Sequence, residues 1–315
     1  MTKIALLGAG GKMGVRLARN LAGYPFLARA SDAEKREIMT RALDPLQDLD
    51  LASRRYAIDL EATDRLLSLF LVERHLISRE LEQSQGPRGV VFGSDEKVSV
   101  MVNEEDHLRI QSIRSSLALS EAYDAAREVD RKLEQHIEFA ASNRYGYLTA
   151  CPTNVGTGLR ASVMLHLPAL VYLKQIEMVF KAAHRTGLTV RGFYGEGTMA
   201  SGDLYQVSNQ VTLGKNEEEI LSDLEAMLPK FLEYEEACRT QLEGRGRVKL
   251  EDKCHRALGT LRSARILTSE EAMQLLSAVR LGVITGVIDE MDMARVNELF
   301  VLTQPAHLQK TEGRL

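Results

Sequence analysis

Two runs with strand character, residues 188–194 and 204–213, are joined by a turn that holds Gly195, Gly197 and Gly202. A glycine-bearing turn between such runs reads as a hairpin, whose strands lie antiparallel. Further strand-like runs stand at 90–92, 97–102 and 145–150, the second alternating polar and apolar residues as a half-buried strand does. Long helical patterns separate them: 33–52, broken near Pro45, then 57–71 and 116–142. Apolar residues recur at helical spacing over 171–183, and residues 216–240 read as a charged amphipathic helix. Thr268-Ser269-Glu270-Glu271 is a capping box that opens a helix, and the chain from Leu250 onward reads as mainly helical. Strands of this kind between helices predict an α+β fold, an antiparallel or mixed β-sheet flanked by helices, and not a doubly wound one.

The start of the chain points elsewhere. An apolar run from Lys3 enters glycines at 8, 10, 11 and 14, and a helical pattern follows through Val15, Leu17, Ala18 and Leu21. A dinucleotide fold begins with such a strand, turn and helix, and Asp32 stands near the place of a ribose-binding acid. However, Met13 occupies the place of the third glycine, and no second or third buried strand follows. An NAD(P)-dependent oxidoreductase therefore stays as a remote alternative.

The net charge of -4 argues against non-specific nucleic-acid binding. Three cysteines, Cys151, Cys238 and Cys254, make neither a disulfide framework nor a zinc site, which fits a reducing cytoplasm. No apolar run approaches the roughly 18 residues of a membrane span, and no secretory signal is read at the N-terminus.

Two segments carry chemistry. The first, Cys151-Pro152-Thr153-Asn154-Val155-Gly156-Thr157-Gly158-Leu159-Arg160, puts a thiol, a small polar turn and an arginine within ten positions. Its expected frame is a strand over 147–150 and a helix over 161–167. Nearby amides and cations favour a thiolate at such an exit, and the arginine fork suits a phosphate or carboxylate. The plainer reading is a buried Cys in an ordinary loop with a surface Arg. The second, Asn103-Glu104-Glu105-Asp106-His107-Leu108-Arg109, follows the strand at 97–102. It reads either as an acid/base site at a sheet edge or as a solvated turn with acids at a helix N-terminus.

Taken together, these two segments resemble the ATP:guanido phosphotransferases, the creatine and arginine kinases and their bacterial relatives. Arg16-Leu17-Ala18-Arg19-Asn20-Leu21, Glu73-Arg74-His75-Leu76-Ile77-Ser78, Arg191-Gly192-Phe193-Tyr194-Gly195-Glu196-Gly197 and Gln206-Val207-Ser208-Asn209-Gln210 extend the match. Tyr194 and Leu302-Thr303-Gln304-Pro305 are similar to the bacterial protein-arginine kinase branch. The resemblance implies a catalytic domain over 15–240, a helical region over 241–315 and an atypical Gly-rich segment over 1–14. It also implies phosphoryl transfer from ATP, with Mg²⁺, to arginine side chains of proteins. Glu105 is expected as the catalytic base and Cys151 as the thiolate that aligns the guanidinium. Arg16, His75, Arg109, Arg160, Arg191 and Glu196 are expected around ATP, and no protein-held metal is expected. By the same resemblance the partners are proteins with exposed arginine, an activator protein and the protein quality-control machinery. A homodimer is implied, with no nucleic-acid or membrane partner and a cytoplasmic location.

The sequence departs from the pattern at three places. Gly14 stands where the family has a phosphate-gripping arginine, and residues 1–14 read as a grafted start with Lys12 as a partial substitute. Met199 stands where a second substrate carboxylate is usual. The Arg-Asp-x-x-Arg-Ala motif expected beyond Leu-Thr-Gln-Pro is not found before Leu315, so control by phosphoarginine is not expected. These departures leave an impaired relative, acting as a binding module, as the alternative.

Overall fold

The computed structural model describes residues 13–47, 51–115, 118–192, 201–311 and 313. The strands are β1 (Met13–Arg19), β2 (Arg55–Asp59), β3 (Gly89–Gly93), β4 (Val98–Val102), β5 (Leu108–Arg114), β6 (Ala141–Ser142), β7 (Gly146–Tyr147), β8 (Leu159–His166), β9 (Leu188–Gly192) and β10 (Leu204–Asn209). The helices are α1 (Asp32–Gln47), α2 (Arg65–Glu73), α3 (Arg79–Gln83), α4 (Leu119–Glu134), α5 (Pro168–Tyr172) and α6 (Glu177–Arg185). The long α7 (Glu217–Gly244) leads to α8 (Arg247–Ser263), α9 (Ser269–Ile284), α10 (Met293–Leu302) and α11 (Pro305–Thr311).

Eight strands form one sheet in the order β2-β3-β4-β5-β1-β8-β10-β9, and every pairing is antiparallel. β6 and β7 make a separate small hairpin. Side chains alternate between the two faces of a strand, so register decides what each face carries. Val15 and Leu17 of β1, Ile110 of β5, and Ala161 and Val163 of β8 are buried in the large core with residues of α1, α4 and α7. The opposite face is covered over β3 and β4 by a smaller cluster, in which Leu71, Leu76 and Leu81 meet Val90, Phe92 and Met101. Beyond that cluster the same face carries arginines.

The α+β expectation matches this architecture, and several local expectations are corrected. Residues 13–19 form a central strand, not the first helix of a dinucleotide unit. Spacing at 15, 17, 18 and 21 fits a helix, but Val15 and Leu17 share one face of a strand while Arg16 takes the other. The antiparallel order also differs from the parallel sheet that a dinucleotide fold needs. The Gly-rich reading of residues 1–12 lies outside the described residues.

The pattern at 57–71 contains β2 before α2, and the one at 116–142 ends as α4 at Glu134 and is followed by β6. Residues 161–166 of the expected helix lie in β8 instead, a strand between β1 and β10 that is buried on both faces, Ser162 and His166 included. Likewise β4 is buried throughout, not half-buried. The strand expected at 145–150 is reduced to β7, and 171–183 is split into α5 and α6 around Lys174, whose φ is 59°.

Candidate active site

Arg16 is the centre of the site. In β1 it stands opposite Gln111 of β5 on one side and opposite Arg160 of β8 on the other. Arg109 lies two residues before Gln111 on β5, and Arg191 stands opposite Gln206 on β9 and β10. Counting in twos along each strand puts Arg16, Arg109, Arg160 and Arg191 on the same face of the sheet. Opposed like charges on neighbouring strands destabilise a sheet. Burial, then repulsion from Arg109 and Arg160, lowers the Arg16 pKa to about 10. A row of guanidinium groups held this way suits a ligand with several negative oxygens.

Polar neighbours hold the row in place. Arg16 Nε donates to Gln111 Oε1 at 2.9 Å, and Gln111 Nε2 donates to the His75 carbonyl at 2.7 Å and to Ser99 Oγ at 3.2 Å. His75, just past α2, adopts a left-handed backbone with φ 61°. Its carbonyl is thereby tied to the arginine row. Arg160 Nη2 donates to Ser208 Oγ at 2.9 Å. Arg109 Nη1 donates to Glu104 Oε1 at 2.7 Å, and Ser78 Oγ, which caps α3, donates to the same oxygen at 2.7 Å.

The acidic segment is the tight hairpin between β4 and β5, not a helix N-terminus: Asn103 N bonds the His107 carbonyl at 2.9 Å. Its three carboxylates have three different surroundings. The Glu104 side chain is 1% exposed and paired with Arg109. Asp106 is buried and accepts from Asn20 Nδ2 at 2.6 Å and from Ala150 N at 2.7 Å. Glu105 alone keeps an exposed side chain, at 3.4 Å from Arg109 Nη2. Partial burial raises its pKa, opposed by Arg109 and assisted by Asp106 and Glu104.

The bond from Ala150 N to Asp106 places the Cys151 loop beside this hairpin. Cys151 is half-buried, with Sγ 3.0 Å from Thr153 Oγ1. Thr212 Oγ1 donates to the carbonyls of Thr153 and Val155, both at 2.8 Å. Gly156 (φ 116°) and Gly158 (φ 65°) close the loop where a Cβ would stand 2.4 Å from the Thr212 carbonyl and 2.6 Å from the Ala18 carbonyl.

The structure thus brings together Glu105, Cys151, Arg16, His75, Arg109 and Arg160 around one face, with Arg191 at its β9 edge. Glu196, Met199 and Tyr194 lie outside the described residues. Among the described residues, no group of three or more His, Cys, Asp or Glu could hold a metal ion. Sequence reasoning missed Asn20, Gln111, Ser208 and the separate environments of Glu104 and Asp106. Gln111 does carry a signal, as a polar residue next to apolar Ile110 in a strand.

Comparisons with known proteins show the family. The family model "ATP:guanido phosphotransferase, C-terminal catalytic domain" matches residues 35–238, and "Protein-arginine kinase McsB C-terminal domain" matches 247–315. The chain is 48% identical over 303 residues to the protein-arginine kinase of Symbiobacterium thermophilum, covering 95% of this chain and 86% of the relative. It is 47% identical over 302 residues to that of Desulforamulus reducens, covering 95% and 85%. Among solved structures it is similar to the duplicated taurocyamine kinase of Schistosoma mansoni, with TM-score 0.66 and 24% identity. That match covers 78% of this chain and 37% of the duplicated enzyme's length. Lombricine kinase matches with TM-score 0.64 and 24% identity over 75% of this chain and 70% of that enzyme. These two likenesses bear on the fold.

Proposed function

The chain belongs to the ATP:guanido phosphotransferase family, and on that footing we propose that it transfers the γ-phosphoryl group of ATP to arginine side chains of proteins. The observation that carries this reading is the row of Arg109, Arg16 and Arg160 on one sheet face, next to Glu105 and the Cys151 loop. Protein-bound arginine as acceptor follows from the two protein-arginine kinase relatives and from the matched C-terminal region.

Phosphoryl transfer is mostly positioning and charge neutralisation. Arg16, Arg109, Arg160 and Arg191 grip the ATP phosphates, and His75 contacts the nucleotide. The repulsion that lowers the Arg16 pKa is relieved when phosphate oxygens enter. The acceptor guanidinium is protonated and a poor nucleophile. Glu105, exposed and raised in pKa, orients it and takes its proton as the N–P bond forms and the bond from the γ-phosphorus to the bridging oxygen breaks, with ADP leaving. Cys151, in the loop that Ala150 N ties to Asp106, aligns the guanidinium. Mg²⁺ fits as an ion carried on ATP phosphate oxygens, where it neutralises charge, instead of in a dedicated protein cage. We assign the work to the cytoplasm, on proteins with exposed arginine, with an activator protein, the quality-control machinery and a homodimeric state as parts of the same reading.

The test is incubation with MgATP and an unfolded arginine-rich protein, followed by detection of acid-labile phosphoarginine by ³¹P NMR and mass spectrometry. Phosphoarginine that requires both ATP and the enzyme is expected. ATP binding without product would refute the proposal.

A further inference from the structure

Three segments that bear the proposed catalytic groups meet at one buried side chain. Asn20 is 2% exposed and directly follows β1, the strand of Arg16. Its Oδ1 accepts from His107 N at 2.9 Å. Its Nδ2 donates to Asp106 Oδ1 at 2.6 Å and to the Leu148 carbonyl at 3.0 Å. Asp106 Oδ1 in turn accepts from Ala150 N at 2.7 Å. The amide therefore links the hairpin next to Glu105 with the chain that leads into Cys151. His107 closes the arrangement: its Nδ1 accepts from Leu21 N at 3.0 Å and its Nε2 donates to the Pro25 carbonyl at 3.0 Å.

Only an amide meets these demands. The position needs an acceptor for a backbone N–H and donors for a carboxylate and a carbonyl, all without charge. An aspartate would set a second carboxylate against Asp106, and an aliphatic residue would strand buried polar groups. Hydrogen bonds that cross 86 to 128 residues of sequence and end one to three residues from Glu105 and Cys151 fix a geometry.

The geometry points to Asn20 as a positioning residue for phosphoryl transfer, one that sets Glu105 and Cys151 against each other without touching substrate. This inference rests on the functional reading above. Misplacement of a catalytic group by about 1 Å costs on the order of 100-fold in rate. Asn20→Asp is accordingly expected to lower kcat by about that factor, while the dissociation constant for MgATP changes less than about threefold.

The test compares wild type, Asn20→Asp and the exchanged pair Asn20→Asp/Asp106→Asn. In the wild type Asp106 Oδ1 takes both bonds, so in the exchanged pair the new amide at 106 turns to aim its Nδ2 at the new carboxylate at 20 and its Oδ1 at Ala150 N. The donor to Leu148 is lost. Recovery of at least about tenfold in kcat over the single variant is expected, as coupling across a direct contact. A folded single variant with kcat within about threefold of wild type would overturn the inference. So would ATP affinity falling in step with kcat. Should the single variant fail to fold, the exchanged pair decides: activity within about tenfold of wild type supports the inference, and a folded inactive pair overturns it.

Alkylation of Cys151 by iodoacetamide, read by mass spectrometry, gives a measure independent of turnover, since Cys238 and Cys254 are buried. A changed rate in Asn20→Asp that the exchanged pair restores supports the positioning role. An unchanged rate overturns it. A wild type that makes no phosphoarginine but shows this alkylation pattern would sink the functional reading and leave the positioning role standing.

Discussion

At the residue scale, the site is a set of like charges held ready for an anion. Arg16 and Arg160 face each other across β1 and β8 with no carboxylate between them in the register. Arg160→Ala removes one charge-assisted contact, and ATP affinity measured by calorimetry is expected to fall by about tenfold or more. Gly14 lies two residues before Arg16 on the same face, opposite Ser162. A Cβ there would meet Ser162 Oγ at 3.4 Å, an ordinary contact. Gly14→Arg is therefore expected to fold and to tighten ATP binding by about tenfold in the same measurement. Glu105 gives a pH signature. Its pKa is raised above 4.5, chiefly by burial, and only the ionised form accepts a proton. The acidic limb of kcat/KM should therefore lie above the ordinary carboxylate value. Asp106→Asn removes a charge that raises Glu105, so the limb should move to lower pH. A limb that stays in place, or moves up, would count against Glu105 as the base.

At the scale of elements, fixed strands and close loops set the geometry. Arg19, at the end of β1, pairs with Asp130 of α4 through two bonds of 2.9 and 2.8 Å. Its guanidinium also stacks 3.5 Å from the Tyr147 ring centroid and bonds the Thr157 carbonyl. This one side chain ties the sheet to α4 and to the Cys151 loop. Asp130→Ala would leave a buried guanidinium without its carboxylate, at a cost of roughly 3–5 kcal/mol. Chemical denaturation should show that loss, and a change under 1 kcal/mol would contradict the pairing. Legibility in the sequence divides at this scale. The helices α7 and α9 could be read because their periodic apolar stripes and capping residues, Asn216 and Thr268, are local. The strands β1 and β8 could not, because Gly14, Ala18 and Met164 on the arginine face blur the polar–apolar alternation that marks a strand. The motifs singled out Glu105, Cys151 and the arginines as candidates. The common face of the arginines follows from register, which pairs residues as far apart as 16 and 160. The Asn20–Asp106–Ala150 linkage is equally non-local and was invisible to spacing.

At the scale of the whole molecule, the helices after residue 247 are built into the catalytic domain. Glu73, at the end of α2 and two residues before His75, accepts from Ala306 N at 2.8 Å and His307 N at 2.9 Å at the start of α11. At the far end of the sheet, Ser277 of α9 donates to Asp203 at 2.5 Å and meets His166 Nε2 at 2.8 Å, and Arg280 meets His166 Nδ1 at 2.7 Å. This region thus contacts both the segment that carries His75 and the end of β8, the strand of Arg160. The central claim is that Glu105 acts on the acceptor and the arginines act on ATP. The most direct test measures kcat for phosphoarginine formation and the dissociation constant for MgATP in wild type and Glu105→Gln. The account predicts a fall in kcat of about 100- to 10,000-fold with ATP affinity within about threefold of wild type. Phosphoarginine formed at the wild-type rate by Glu105→Gln would contradict it.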